Sequence, residues 1–395
     1  MRIAQIVPSY LPGHRYGGPI ASVHGLSRAL VRRGHEVDVW TTDMDEGQRL
    51  DVPLGERVEI DGVGVRYFQT RGPARVRWAP ELASALEQTV GDYDLVQAHG
   101  VFVATTSRAL SVAQRAGVPT VLSPRGMLMS SMLEARGAFR KRLWLRQLDD
   151  RNLRGLAGLH LTAEAERREL PNLGFRWTQR LAVVENGVEP SSFSGGWTDL
   201  RDDVVALCTG EQRFLLFLSR VHWKKGLDRL TAALTRLPED VHLAVAGPDE
   251  GYGNELRQLI RQQGLEQRVH VLGAVLGANK AALLEHAAAL VLPSYSENFG
   301  NVVLEAMAAG CPPVVTPEVG AAEVVRRERS GWVVPGSAEH LSRALASLLN
   351  QPQLRAEAAR LGRQAVEERY TWPSIAARLE SFYGECLERE QVLAA

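Results

Sequence analysis

What this sequence is short of narrows it first. Its 395 residues include three cysteines, Cys208, Cys311 and Cys386. An odd count at wide spacing excludes a disulfide framework and any C-x-x-C metal knuckle, and it fits a reducing compartment. No apolar run reaches about 18 residues, so no segment reads as a membrane-spanning helix. The stretch from Met1 to Pro8 is too short for a secretory leader, which makes a cytoplasmic location the expectation. Neither sign of charge is in excess: 46 Lys and Arg face 46 Asp and Glu. That argues against a globally basic nucleic-acid binder. No G-x-x-x-x-G-K-S/T phosphate loop occurs, and no His/Cys cluster has the spacing of metal ligands.

What is present is globular. Hydrophobic residues make up 45% and charged residues 23%, which excludes a disordered chain and leaves apolar material for two cores. Short apolar runs alternate with helical patterns, the signature of βαβ units and parallel sheets. In the first part, strands are expected at Ile3–Pro8, Val37–Thr41, Leu95–Ala98 and Thr120–Leu122, with helices at Pro19–Arg33 and Ala104–Ala116. Pro, Gly and Ser residues across Glu189–Asp203 read as a linker. The alternation then restarts, with strands expected at Phe214–Ser219, His242–Ala246, Val269–Leu272, Leu290–Pro293 and Pro313–Val315. Past Ala338 the pattern is helical, interrupted at Trp372-Pro373. The expected fold is therefore α/β, with two Rossmann-like doubly wound parallel-sheet domains facing a central cleft. The domains are set at 1–190 and 191–371, and 372–395 is expected to form a helix crossing back to the first. Ligands in such folds sit at the carboxyl ends of the strands.

Three segments carry chemistry. The first is Pro293-Ser-Tyr-Ser-Glu297-Asn298-Phe299-Gly300-Asn301-Val302-Val-Leu-Glu305. Here a strand ends, a loop follows and a helix begins, so the N–H groups of Gly300, Asn301 and Val302 point from a positive dipole end that suits a diphosphate. Glu297 and Glu305 can accept hydrogen bonds from hydroxyls or a vicinal diol. Read alone, both glutamates could equally be surface charges. The second segment is Ser219-Arg220-Val-His-Trp-Lys-Lys225-Gly226. Arg220 and Lys225 flank a turn at a strand end, where a fork and a point charge can hold a diphosphate and neutralise it as it departs. A solvated basic turn is the plainer alternative. The third is the loop Pro8-Ser-Tyr-Leu-Pro-Gly13-His14-Arg-Tyr-Gly17-Gly18, whose paired glycines allow backbone to approach a ligand closely.

In this order, these segments resemble the GT-B glycosyltransferases, specifically glycosyltransferase family 4 (group 1) and its bacterial exopolysaccharide-type members. Glu297 and Glu305 match the family's E-x7-E motif, Arg220 and Lys225 its R-x4-K pair, and Gly17-Gly18 its glycine loop. Asn186-Gly187-Val188, Gly310-Cys-Pro-Pro-Val-Val and Glu318-Val-Gly-Ala-Ala-Glu323 also match. The resemblance spans nearly the whole chain and is densest from Phe217 to Pro335. It implies a retaining, metal-independent transfer of a hexosyl unit from a UDP- or GDP-sugar to an acceptor hydroxyl, with no cofactor. The donor phosphate would assist deprotonation of the attacking hydroxyl on the front face. Arg220 and Lys225 would hold the diphosphate, Glu297 the transferred sugar, and Glu305 the ribose. The loop Asn298, Phe299, Gly300, Asn301 and Val302, together with Gly17 and Gly18, completes the donor site. Ser219, Asn298 and Glu185-Asn186 depart from the common pattern without removing a functional side chain. Arg125 stands where many members carry His; it cannot act as a neutral base but can bind phosphate or carboxylate. His99 matches another frequent site position and counts with the catalytic set. His14 and Arg125 are taken as acceptor contacts.

Two Asp-x-Asp pairs, Asp43/Asp45 and Asp92/Asp94, could suggest a metal, but the phosphate motifs lie in the other domain and no metal site is expected. Residues 136–154 hold seven basic residues against two acidic ones, with Phe139, Leu143, Trp144 and Leu148 among them. Such a stretch can lie on an anionic membrane surface, or pack its apolar face on the first domain. The acceptor expected from the resemblance is a lipid-linked or polysaccharide glycan at the inner membrane face, with no nucleic-acid partner. A sugar-nucleotide 2-epimerase on the same fold and a non-enzymatic nucleotide-sugar-binding scaffold are the alternatives. The intact E-x7-E pair weighs against the first; Arg220, Lys225 and Glu305 together weigh against the second.

Overall fold

The computed structural model describes residues 1–13, 17–45, 47–72, 76–134, 137–171, 180–190 and 199–394. The chain divides into two compact units, Met1–Gly187 with Trp372–Ala395, and Val188–Thr371.

The first unit is built on β1 (Arg2–Ile6), β2 (Glu36–Thr42), β3 (Met44–Asp45), β4 (Gln48–Arg49), β5 (Arg57–Ile60), β6 (Val63–Phe68), β7 (Leu95–His99), β8 (Thr120–Ser123), β9 (Gly158–Leu161) and β10 (Arg180–Val183). Eight of them form one sheet in the order β10-β9-β8-β7-β1-β2-β6-β5. Its pairings are parallel except β5 against β6. Ile3 lies opposite Val37 on one side and Leu95 on the other. Both faces of such a sheet are covered, which is why these strands read as unbroken apolar runs. The helix Trp372–Ala394 belongs to this unit. Its Ile375, Leu379, Phe382 and Tyr383 share a core with Val23, Leu26 and Leu30 of the helix Gly18–Arg32. Arg33 and Glu380 form an ion pair of 2.5 Å.

The second unit carries β11 (Arg213–Leu218), β12 (Val241–Ala246), β13 (Val269–Gly273), β14 (Ala289–Leu292), β15 (Pro313–Val315) and β16 (Trp332–Val333). They form one parallel sheet in the order β13-β12-β11-β14-β15-β16. The central strands are the most apolar: Phe214–Leu218 and Ala289–Leu292 are wholly buried. The helix Asn301–Ala309 is bracketed by Gly300 and Gly310, at φ 87° and 76°, conformations that favour glycine.

Two expectations change. The linker read at Glu189–Asp203 gives way to a helix already at Asp202–Thr209, while 191–198 lie outside the described residues. The basic stretch is not one helix. It runs as Ala138–Trp144, a π turn at Leu145–Asp149, and Asp150–Arg154. Among the described residues no helix is long and apolar enough to cross a membrane.

Candidate active site

From β11 the chain winds outward to β12 and β13, then returns to β14 on the opposite side of β11. Connections thus leave the ends of β11 and β14 in opposite directions, and the crevice they leave is where doubly wound sheets bind ligands. Both charged motifs of this unit open there.

Arg220 follows β11, and Lys225 closes a single 3-10 turn, Trp223–Lys225. Gly226 ends that turn at φ 72°, where a Cβ would lie 2.1 Å from the Pro293 carbonyl oxygen. The turn is therefore seated on the end of β14. The Tyr295 N–H donates to the Lys224 carbonyl (2.8 Å), and the Arg229 guanidinium lies 3.4 Å over the Tyr295 ring. The Tyr295 hydroxyl donates to Asp228 (2.7 Å). These contacts fix the loop that bears Glu297. Lys225 is 7% exposed, and its ammonium forms an ion pair with the Glu297 carboxylate. The Glu297 backbone is held in turn: its N–H donates to Glu318 (3.0 Å) and its carbonyl accepts from Gly320 (3.0 Å). Phe299 is buried beneath the loop.

Two partners were not foreseen. Arg220 pairs with Glu250 at 2.5 Å; Glu250 comes from the loop after β12, next to β11, and its backbone bonds Val221 (3.0 Å). Glu305, one turn into its helix, pairs with Lys280 of the helix Gly277–His286 at 2.8 Å. Neither partner has a local sequence signal, because each reaches the motif from another element. Gly300, Asn301 and Val302 form the helix start beside Glu297. Asn298 precedes them in the loop.

In the first unit the winding reverses between β1 and β7. The loop bearing Gly17 and Gly18 follows β1. His99 ends β7, and Arg125 follows β8. Gly17 has φ 58° and precedes the helix Gly18–Arg32. His14 lies outside the described residues. His99 is buried, with Nε2 at 2.6 Å from Gln5 Oε1 and Nδ1 at 3.2 Å from Arg125. The pattern reads as Nε2–H donating to Gln5 and Nδ1 accepting from Arg125. Burial first, then the Arg125 charge, holds the imidazole well below its usual pKa, so it is neutral. With both nitrogens engaged, it orients Arg125. Arg125 itself sits at φ 54° and donates to Asn186 Oδ1 (2.8 Å). The Gln5 amide donates to Gln97 (3.1 Å), the Gln97 amide to His160 (3.1 Å), and the Tyr383 hydroxyl to Gln97. A buried polar chain therefore links the helix Trp372–Ala394 to His99 and Arg125.

The aspartate pairs have structural employment. Asp43 pairs with Arg49 and accepts the Thr70 N–H (2.8 Å). Asp94 accepts the Arg2 N–H (2.7 Å). Among the described residues no three His, Cys, Asp or Glu side chains are grouped to hold a metal ion. In the basic stretch, Leu145 and Leu153 are buried, whereas Phe139 is 79% exposed and Leu143 and Leu148 are exposed too. The apolar face read from the sequence is thus not packed away.

Two doubly wound units, the second with paired cations and carboxylates at its strand ends, are the arrangement of the GT-B class of glycosyltransferases. The chain matches the family described as Glycosyl transferases group 1 over residues 203–365, and the Glycosyl transferase 4-like domain over residues 17–187. It belongs to the group 1, family 4 glycosyltransferases, which move sugars from nucleotide sugars. It is 29% identical to a D-inositol 3-phosphate glycosyltransferase of Xylanimonas cellulosilytica, over 94% of this chain and 93% of the relative. It is 28% identical to a phosphatidyl-myo-inositol mannosyltransferase of Mycobacterium leprae, over 97% and 96%. Among solved structures, Anabaena HepE in complex with UDP and glucose has the same fold, with a TM-score of 0.74 at 22% identity, covering 97% of this chain and 99% of that one.

Proposed function

We propose that this chain is a retaining, metal-independent hexosyltransferase that uses a UDP- or GDP-sugar. The observation that carries the reading is the Lys225–Glu297 ion pair at the switch point of the second unit, with Arg220 five residues earlier. The donor diphosphate lies on Arg220, Lys225 and the helix start at Gly300–Val302. Bound there, its charge competes with Glu250 and Glu297 for the two cations. Glu297, released from Lys225, turns to the hydroxyls of the transferred sugar; Glu305 takes the ribose diol. Two cations and a helix dipole supply the neutralisation that a metal ion supplies elsewhere. The carboxylates bind rather than act as a glycosidase pair. A phosphate oxygen takes the proton of the attacking hydroxyl, on the face the leaving group vacates. The first unit supplies the acceptor contacts, Arg125 and His14, with His99 orienting Arg125.

The acceptor is a lipid-linked or polysaccharide glycan at the inner face of the cytoplasmic membrane. Phe139, Leu143 and Leu148, exposed among Arg140, Lys141, Arg142 and Arg146, suit an anionic lipid surface. The M. leprae relative's name, which carries a phosphatidyl-inositol acceptor, agrees with this. The test is transfer with α-linked UDP- and GDP-hexoses in EDTA, with the product anomer read by NMR. An α-linked product formed at an undiminished rate is expected; an inverted product, or activity abolished by EDTA, contradicts the reading.

A further inference from the structure

Among the described residues, no carboxylate forms an ion pair with Arg125. The residue is half-buried, and its Nε is closed off from solvent. Of its five N–H donors, two are engaged among the described residues, by Asn186 Oδ1 (2.8 Å) and His99 Nδ1 (3.2 Å). Both partners are neutral. Its Nε is buried with no partner among the described residues. The carboxylate that acts on it through space, Glu166, is committed elsewhere. Glu166 accepts the Gly126 N–H (2.7 Å), the Thr162 N–H (2.9 Å) and the Thr162 hydroxyl (2.5 Å). Glu185, beside Asn186 in sequence, pairs with Arg378 at 2.8 Å. An enclosed guanidinium with only neutral partners is costly unless something anionic completes it. Here the buried chain Tyr383–Gln97–Gln5–His99 holds it in place at the strand ends where the first unit would take its ligand.

We propose that Arg125 is the receptor for an anionic group on the acceptor, so that the acceptor is a phosphorylated or acidic sugar and not a neutral one. This rests on the transferase reading above and deepens it. The fork of the guanidinium suits the planar oxygens of a carboxylate or two oxygens of a phosphate, and one N–H on each Nη is left for them among the described residues, while Nε is buried.

The experiment is calorimetric titration of the full chain, saturated with UDP so that Arg220 and Lys225 are occupied. The probes are glucose, glucose 6-phosphate, glucuronate and inorganic phosphate. We expect one of the two anionic sugars to bind at least tenfold more tightly than glucose. Glucose 6-phosphate ahead of glucuronate assigns the group as phosphate, and the reverse order assigns a carboxylate. Arg125→Gln should erase the preference, while Arg125→Lys, which keeps the charge and loses the fork, should retain part of it. Equal binding of neutral and anionic sugars by the wild-type protein overturns the proposal whether or not a variant folds. So does a preference untouched in folded Arg125→Gln, or inorganic phosphate binding as tightly as glucose 6-phosphate. A titration with UDP alone, run first on the same protein, reports on the transferase reading; the preference is the difference between wild type and Arg125→Gln and is read in the same way if UDP does not bind.

Discussion

Lys225 and Glu297 face each other across the ends of β11 and β14, an ammonium nearly closed off from water against a carboxylate on the neighbouring loop. Each neutralises the other, so neither stands as a lone charge at the strand ends. On the proposed function, a ligand with two phosphates and several hydroxyls would replace that pairing with partners on both sides, so that the ion pair would act as a placeholder and donor binding would free Glu297.

Replacing Lys225 by Ala removes the enclosed cation and leaves Glu297 without a partner. Loss of one charge-stabilising group of this kind costs about 10²–10³ in kcat. The variant should keep a native circular dichroism spectrum, since the turn is held by Gly226 and Tyr295. Turnover within a factor of about three of wild type would remove the diphosphate role.

Lys280 was invisible in the sequence, yet it holds Glu305 at 2.8 Å. Lys280→Met should leave the Glu305 carboxylate less well placed for the ribose. Losing a hydrogen bond to a charged group is worth about 1.5–3 kcal/mol. The donor KM is expected to rise at least about tenfold while kcat changes little. An equal fall in kcat and kcat/KM would instead place Lys280 in the transition state.

How much could be read beforehand follows from where each signal lies. The strands of the second unit announce themselves because both faces are buried, and Arg213–Leu218 departs from the expected Phe214–Ser219 by one residue at each end. The E-x7-E and R-x4-K residues are local, so their positions could be read in advance. Glu250 and Lys280 could not, because their partners arrive from separate elements and no spacing rule connects them. The hairpin of β5 and β6 turns at Asp61-Gly62, a local turn signal between two short apolar runs. The basic stretch reads as a single amphipathic helix because periodicity does not reveal a π turn. Leu145–Asp149 re-aims the face, so that Leu145 is buried while Leu143 and Leu148 stay outside.

Acid should weaken the first unit. His99 is held well below its usual pKa and His160 is pushed down to about 3, each chiefly by burial. Both are neutral in the folded state and become protonated in the unfolded state below about pH 6.5. The unfolded state therefore binds more protons, and stability rises with pH through this window. It is fully present above about pH 6.5 and is lost as pH falls toward the folded values. At pH 5 His160 removes about 2 kcal/mol, and His99 adds a loss of the same sign. Urea midpoints at pH 7.5 and pH 5.0 test this, and a higher midpoint at pH 5.0 would contradict it.

Phe139 and Leu143 should matter on membranes and not in solution. Phe139→Ser with Leu143→Ser gives up apolar contacts worth about 1.5–3 kcal/mol each on full burial. Co-sedimentation with vesicles containing anionic lipid should fall at least about tenfold, with the melting temperature unchanged because both residues are exposed. If the wild-type protein does not sediment with such vesicles, the membrane assignment is wrong.

The central claim is that the second unit binds a nucleoside diphosphate through Arg220, Lys225 and the helix start, without a metal. It is tested most directly by thermal melting with UDP, GDP, ADP, CDP and dTDP, each with and without EDTA, in the wild type and in Lys225→Ala. Ligand at about 100 times its Kd stabilises by about 2.7 kcal/mol, which melting resolves. The account predicts a shift with UDP or GDP that EDTA leaves unchanged and that Lys225→Ala abolishes. No shift with any nucleotide, or a shift that disappears in EDTA, would contradict it.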